Sequence, residues 1–154
     1  MTGDRLGRWV AAAAVLGLAI AGYLTYVHYA GIEPICAASG GCERVQSSDY
    51  AELAGVPVAL LGLLGYAGIL AAALMPGELA RIATAWLAVV GLGFSLYLTY
   101  LELFEIHAIC QWCVASAVIM AVLAVLAVTR VLRAGRGTSP PLSSSVPSGR
   151  SSVG

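Results

Sequence analysis

The chain carries four cysteines, spaced as two pairs: Cys36 with Cys42, and Cys110 with Cys113. Cys110-Gln111-Trp112-Cys113 is a C-x-x-C motif leading into an apolar run. Its spacing lets two sulfurs close a small ring on oxidation. The run predicts a helix, so the motif falls at a helix N-terminus, where unpaired N–H groups and the dipole stabilise a thiolate. Thiolate is the species that attacks a disulfide. The other pair encloses Ala-Ala-Ser-Gly-Gly, a small and flexible interior suited to a disulfide loop that swings. The chemistry indicated is thiol–disulfide exchange. Two static structural disulfides are the plainer alternative. A zinc site fits less well, because only one pair has the usual ligand spacing and no histidine lies within either pair. Next to the motif, His107 is a candidate ligand or proton shuttle, or simply an interfacial polar residue.

The elements that position these cysteines are membrane spans. Hydrophobic residues make up 60% of the 154, charged residues 10%, and mean hydropathy is +0.89. A water-soluble domain carries about 25% charged side chains, so that class is excluded. Runs without Asp, Glu, Lys or Arg extend over 9–32, 53–77, 82–101 and 106–129. Each reaches the ~20 residues needed to cross the hydrocarbon layer. Within the second run, the helix is expected to begin near Val56–Pro57, since proline suits a first turn. The first run is too long for a cleaved signal core, and its end is tyrosine-rich (Tyr23, Tyr26, Tyr29), as in an interfacial belt. The sequence therefore predicts an all-α membrane protein, a four-transmembrane-helix bundle with a long outer loop.

Four spans put both termini and the link between the second and third helices, near Met75–Leu79, on one side. Seven of the eight arginines (Arg5, Arg8, Arg81, Arg130, Arg133, Arg136, Arg150) fall there and only Arg44 opposite, and there is no lysine. The positive-inside rule makes the termini cytoplasmic and places all four cysteines on the outer, disulfide-permissive face. An internal repeat adds geometry. Gly17–Cys36 and Gly91–Cys110 align at a constant offset of 74, with 9 of 20 positions identical, including Tyr-Leu-Thr-Tyr and the final cysteine. Cys36 and Cys110 are thus expected at matched heights.

Electrons taken from thiols need an acceptor. No dinucleotide fingerprint is present, so a lipid-soluble quinone, ubiquinone or menaquinone, is the expected cofactor. Trp112, Tyr97, Tyr100 and Phe104 are candidate walls for its ring, though belt and packing roles compete. Gly62, Gly65 and Gly68 recur on one helix face, either for close helix approach or to make room for that ring.

The loop pair, the stretch Cys42-Glu-Arg-Val-Gln-Ser-Ser48, the Gly55-Val56-Pro57 lead into the second helix, and Cys110-Gln-Trp-Cys113 together resemble the vitamin K epoxide reductase family, in its bacterial disulfide-forming branch. The resemblance runs from about 17 to 130. It implies a four-helix bundle around a quinone, with the outer loop folded over it as a half-helix lid, here about 45–53. By that resemblance Cys36 exchanges with a thioredoxin-like partner, Cys42 passes electrons to Cys110, and Cys113 reduces the quinone. Ser48 matches the family's serine and supports either exchange or the quinone by hydrogen bonding. Many relatives carry a fused thioredoxin-like domain; here the partner is expected to be a separate polypeptide.

The organisation expected is a cytoplasmic N-terminus over 1–8, the membrane domain over 9–133 with its outer loop at 31–55, and a Ser/Gly/Pro-rich disordered tail over 134–154. The location implied is a bacterial cytoplasmic membrane. Two other functions compete: a quinone or vitamin K epoxide reductase whose main product is the reduced quinone, and a non-enzymatic scaffold stapled by disulfides. Epoxide reduction is disfavoured because the vertebrate branch has a tyrosine where this chain has Ala117.

Overall fold

A computed structural model describes residues 2–36 and 41–137. The elements are α1 (Thr2–Ala30), α2 (Gly41–Gln46), a short hairpin of β1 (Glu52–Leu53) and β2 (Val56–Pro57), α3 (Val58–Leu74), α4 (Glu78–Leu101) and α5 (Gln111–Gly137). A 3₁₀ turn covers Asp49–Ala51, and a π-helical segment, Glu102–Ile106, extends α4. The spans Arg5–Ala30, Glu78–Ile106 and Gln111–Gly137 are long and apolar enough to cross a membrane. The remaining helix of the bundle, α3, is also apolar but shorter, at 17 residues. The chain is an all-α membrane protein.

Several boundaries depart from expectation. Helix α1 is already formed at Thr2, so 2–8 are helical and continuous with the first span. At the other end α5 runs to Gly137, which makes 134–137 helical; the rest of the expected tail lies outside the described residues. In α3 the first helical residue is Val58, because Val56 and Pro57 pair with Leu53 and Glu52 across a tight turn. Ala54 (φ 54°) and Gly55 (φ 80°) are both left-handed there, as a two-residue hairpin requires. The helix of the outer loop lies at Gly41–Gln46 rather than 45–53. Two serines end it: Ser47 Oγ donates to the Arg44 carbonyl at 3.5 Å and Ser48 Oγ to the Val45 carbonyl at 2.7 Å. Such side-chain bonds compete with the helical ladder.

Helix α1 packs against α3 and α5, and α4 packs against the same two helices. The two repeat copies therefore stand across the bundle from each other. Near the termini the interior is solid, filled by Val10, Ala14, Tyr66, Ile69, Leu123 and Ala127 among others. Gly17 admits the Tyr66 ring against α1, and its repeat mate Gly91 admits Met120 against α4; a Cβ at either position would overlap that side chain. Outward faces carry large exposed apolar side chains such as Val15, Trp86, Val90, Val118 and Val125, as lipid contact demands.

Candidate active site

At the cysteine end the bundle opens into a cavity of about 160 Å³. Helix α1 contributes Ile20, Ala21 and Leu24, and α4 contributes Phe94, Ser95 and Leu98. Each of the second set lies 74 residues after its mate in the first. The repeat thus supplies two opposed, apolar walls. In both copies the threonine of Tyr-Leu-Thr-Tyr bonds back into its own helix, Thr25 to Ala21 at 2.7 Å and Thr99 to Ser95 at 2.9 Å, leaving no dangling hydroxyl. The wall from α3 carries Val58, Ala59, Leu61 and Tyr66 with two glycines, Gly62 and Gly65, and a Cβ at Gly65 would meet nothing within 4 Å. That favours space-making at Gly65, whereas a Cβ at Gly62 would lie 3.8 Å from Ala21 Cβ, in contact with α1. Polar groups at the cavity include Gln46, Ser48, Tyr50, Ser95, Thr99, Glu102, Cys113, Tyr66 and Ser116. The last two are tied together, with Tyr66 Oη 2.9 Å from the Ser116 carbonyl and 2.8 Å from its Oγ.

Cys36 and Cys42 form a disulfide, while Cys110 and Cys113 are free thiols. Cys42 is buried and Cys36 partly exposed. Cys110 lies just ahead of α5 and is buried; the Cys113 N–H donates to its sulfur at 3.4 Å. The hydrogen bond from the Cys113 thiol, helped by the backbone N–H groups of Cys113 and Trp112, holds the Cys110 thiol below its ordinary pKa, against burial and the nearby Glu102 carboxylate. A lowered thiol pKa suits a cysteine that attacks disulfides.

Four contacts bring the cysteine loops together. Trp112 Nε1 donates to the Ile35 carbonyl at 2.8 Å. The Ile35 N–H donates to Tyr23 Oη at 3.0 Å, and the Tyr23 ring leans on Trp112 with centroids 5.2 Å apart. Gly41 sits so close to the Ile109 carbonyl that a Cβ would overlap it. Gly41 precedes Cys42 and Ile109 precedes Cys110, so the two loops meet at residues adjoining both cysteines. At the other end of the loop, His28 and Glu52 approach to 3.4 Å and hold the hairpin to α1.

Ser48 lines the cavity, its hydroxyl proton committed to Val45 and its lone pairs left to accept. None of the aromatic residues chosen from the sequence does so. Tyr97, Tyr100 and Phe104 are half or more exposed on the outward side of α4 and its extension, where Tyr100 and Phe104 stack with centroids 4.8 Å apart. Trp112 is committed to the Tyr23–Ile35 clamp. The aromatic in the cavity wall of α4 is Phe94, three residues before Tyr97. His107 is exposed, with a left-handed backbone (φ 53°) that caps the π-helical segment. Glu102 was not singled out by sequence reasoning. The signal for it was a carboxylate directly abutting a charge-free run, which marks function in membrane helices.

No group of three or more His, Cys, Asp or Glu that could hold a metal occurs among the described residues. Apolar helices gathered around a cavity with thiols in its wall define a membrane protein built for redox chemistry. A family model described as the vitamin K epoxide reductase family matches residues 8–128, and the chain belongs to that family. It is an oxidoreductase.

Proposed function

We propose that this protein is a quinone-dependent thiol oxidase that drives disulfide formation. It takes electrons from the dithiol of a separate thioredoxin-like protein and passes them through two cysteine pairs to a membrane quinone. The observation that carries this reading is the cavity: Cys113, half of a free dithiol, opens into a mostly apolar space that also holds Ser48. The room left at Gly65 suits a planar ring, and quinone oxygens suit the polar groups of the lining. When bound, a quinone supplies an acceptor for two electrons and two protons.

The residues then divide the work. Cys36, the more exposed member of its disulfide, is the sulfur within reach of a partner's thiolate. Cys42, freed by that attack, lies beside Cys110 through the Gly41–Ile109 contact. Cys110 is biased toward thiolate and resolves exchange between the pairs. Cys113 faces the acceptor, and Ser48 Oγ has an open lone pair toward the same space. Four crossings are part of this proposal: 17 residues of α3, at ~1.5 Å each, reach the lower end of the spanning range. With four, the arginine bias makes the termini cytoplasmic and the cysteine end extracytoplasmic, in a bacterial cytoplasmic membrane.

The test is an assay of the purified full chain with a reduced thioredoxin-like protein and analogues of ubiquinone and menaquinone. Quinone loss should match dithiol oxidation in equal amounts. Cys36→Ala and Cys113→Ala should each abolish turnover, and the double variant should accumulate a Cys42–Cys110 disulfide. Full activity with either pair removed would overturn the reading. Vitamin K epoxide offered as substrate distinguishes the epoxide reductase alternative, and cysteines inert to both dithiol and quinone would favour a scaffold.

A further inference from the structure

Glu102 is the only carboxylate buried among the described residues, with 3% of its surface exposed. It sits where α4 gives way to the π-helical segment. Its carbonyl accepts the His107 N–H, and also the Ala108 N–H at 3.1 Å, which closes the wide turn. That turn swings the chain back so that the Glu102 side chain reaches the C-x-x-C motif. Oε2 accepts the Cys110 N–H at 3.2 Å, and the Cys113 thiol lines the same cavity as the carboxylate. Neither neighbour is a cation. A carboxylate in an apolar bundle is costly without one, and such residues mark proton paths in membrane proteins. π-Helical segments likewise occur at functional sites. One carboxylate therefore holds the C-x-x-C backbone and borders both Cys113 and the acceptor's space.

We infer that Glu102 is the catalytic proton carrier of the inner dithiol, taking the Cys113 thiol proton as the pair is oxidised and delivering it into the cavity. The inference rests on the quinone reading above. In the net step two S–H bonds break and one S–S bond forms between Cys110 and Cys113. Two electrons pass to the cavity occupant, a quinone. The Cys113 proton goes to it by way of Glu102. The Cys110 proton leaves to water, and one proton drawn from water completes the reduction. Holding the Cys110 N–H needs only an acceptor oxygen, which glutamine also has; carrying the proton needs the acid.

The experiment uses the purified full chain as wild type, Glu102→Gln and Glu102→Asp. First, redox-difference infrared spectra are recorded on quinone-free protein as the Cys110–Cys113 pair is oxidised and reduced. The wild type should show a carboxyl band that changes with the pair's redox state, absent in Glu102→Gln and displaced in Glu102→Asp. No such band, or one that persists in Glu102→Gln, overturns the inference. Second, quinone reduction is followed with a short-chain analogue. Glu102→Gln should be slower by about 10²-fold or more, the usual scale of acid–base catalysis, with partial rescue in Glu102→Asp. A Glu102→Gln rate equal to wild type overturns the inference too. A wild type that shows the band but reduces no quinone supports the thiol–carboxyl proton transfer and sinks the quinone reading instead.

Discussion

The Trp112 indole donates a 2.8 Å hydrogen bond to the Ile35 carbonyl across 77 residues of sequence. Ile35 adjoins Cys36 and Trp112 adjoins Cys113, so one bond ties the outer disulfide loop to the C-x-x-C motif. The variable interior of a C-x-x-C motif is thereby put to use: its tryptophan fixes where the other pair sits. Replacing it with phenylalanine keeps a ring against Tyr23 but removes the N–H. A net hydrogen bond is worth about 1 kcal/mol, so Trp112→Phe should slow exchange between the pairs about fivefold. Rapid acid quench followed by mass mapping of the disulfides measures that rate, and an unchanged rate would show that the indole bond does not set the loop's position.

Gly41 provides the second link. Its lack of a Cβ lets the start of α2 rest on the Ile109 carbonyl, immediately ahead of Cys110. In Gly41→Ala the backbone of one segment must move, because the obstructing atom is main chain. Inter-pair exchange should fall at least tenfold, while reduction of the Cys36–Cys42 disulfide by a small dithiol stays near the wild-type rate. Equal loss of both rates would instead mean that the substitution disorders the whole loop.

Cys110 should titrate below the ordinary thiol range. The leading cause is the hydrogen bond from the Cys113 thiol, and the Glu102 carboxylate opposes it. The signs follow. Cys113→Ala removes the stabilising donor, so the Cys110 midpoint should rise. Glu102→Gln removes a repelling negative charge, so the midpoint should fall further. Between the lowered midpoint and the ordinary thiol value, the folded protein then holds a Cys110 thiolate that a free cysteine would lack. Thiolate absorbance against pH, in a background with Cys36 and Cys42 replaced by serine, checks all three directions.

Much of the architecture was legible because its physics is one-dimensional. A charge-free run of sufficient length becomes an apolar helix, and the paired cysteines announce redox chemistry by type and spacing. Even the opposed cavity walls were latent in the repeat, since Ile20, Ala21 and Leu24 recur as Phe94, Ser95 and Leu98. What failed was rotation about a helix axis. Tyr97 and Phe94 are three residues apart in α4, and one faces outward while the other faces the cavity; an all-apolar helix has no polar face to settle which. The π-helical segment compounded this, because its wide turn changes the phase of 102–106 and could not be seen in hydropathy. The loop helix was misplaced for a local reason, the competition of two serine hydroxyls with its last turn.

That rotational difference makes the cavity assignment testable without touching a cysteine. Gly65 borders the cavity with nothing within 4 Å of its absent Cβ, so Gly65→Leu has room to fold and also trades glycine for a better helix former. The leucine side chain occupies space that the acceptor needs. Gly65→Leu should therefore raise the KM for quinone at least tenfold, while exchange of Cys36–Cys42 with a dithiol protein proceeds at the wild-type rate. Tyr97→Leu and Phe104→Leu, on the outward side of α4 and its extension, should leave the quinone KM within about twofold. The comparison is made by quinone-dependent turnover of each purified variant at saturating dithiol. A large KM effect at Tyr97 or Phe104 with none at Gly65 would put the acceptor on the outer surface of α4, and the cavity would lose its assignment.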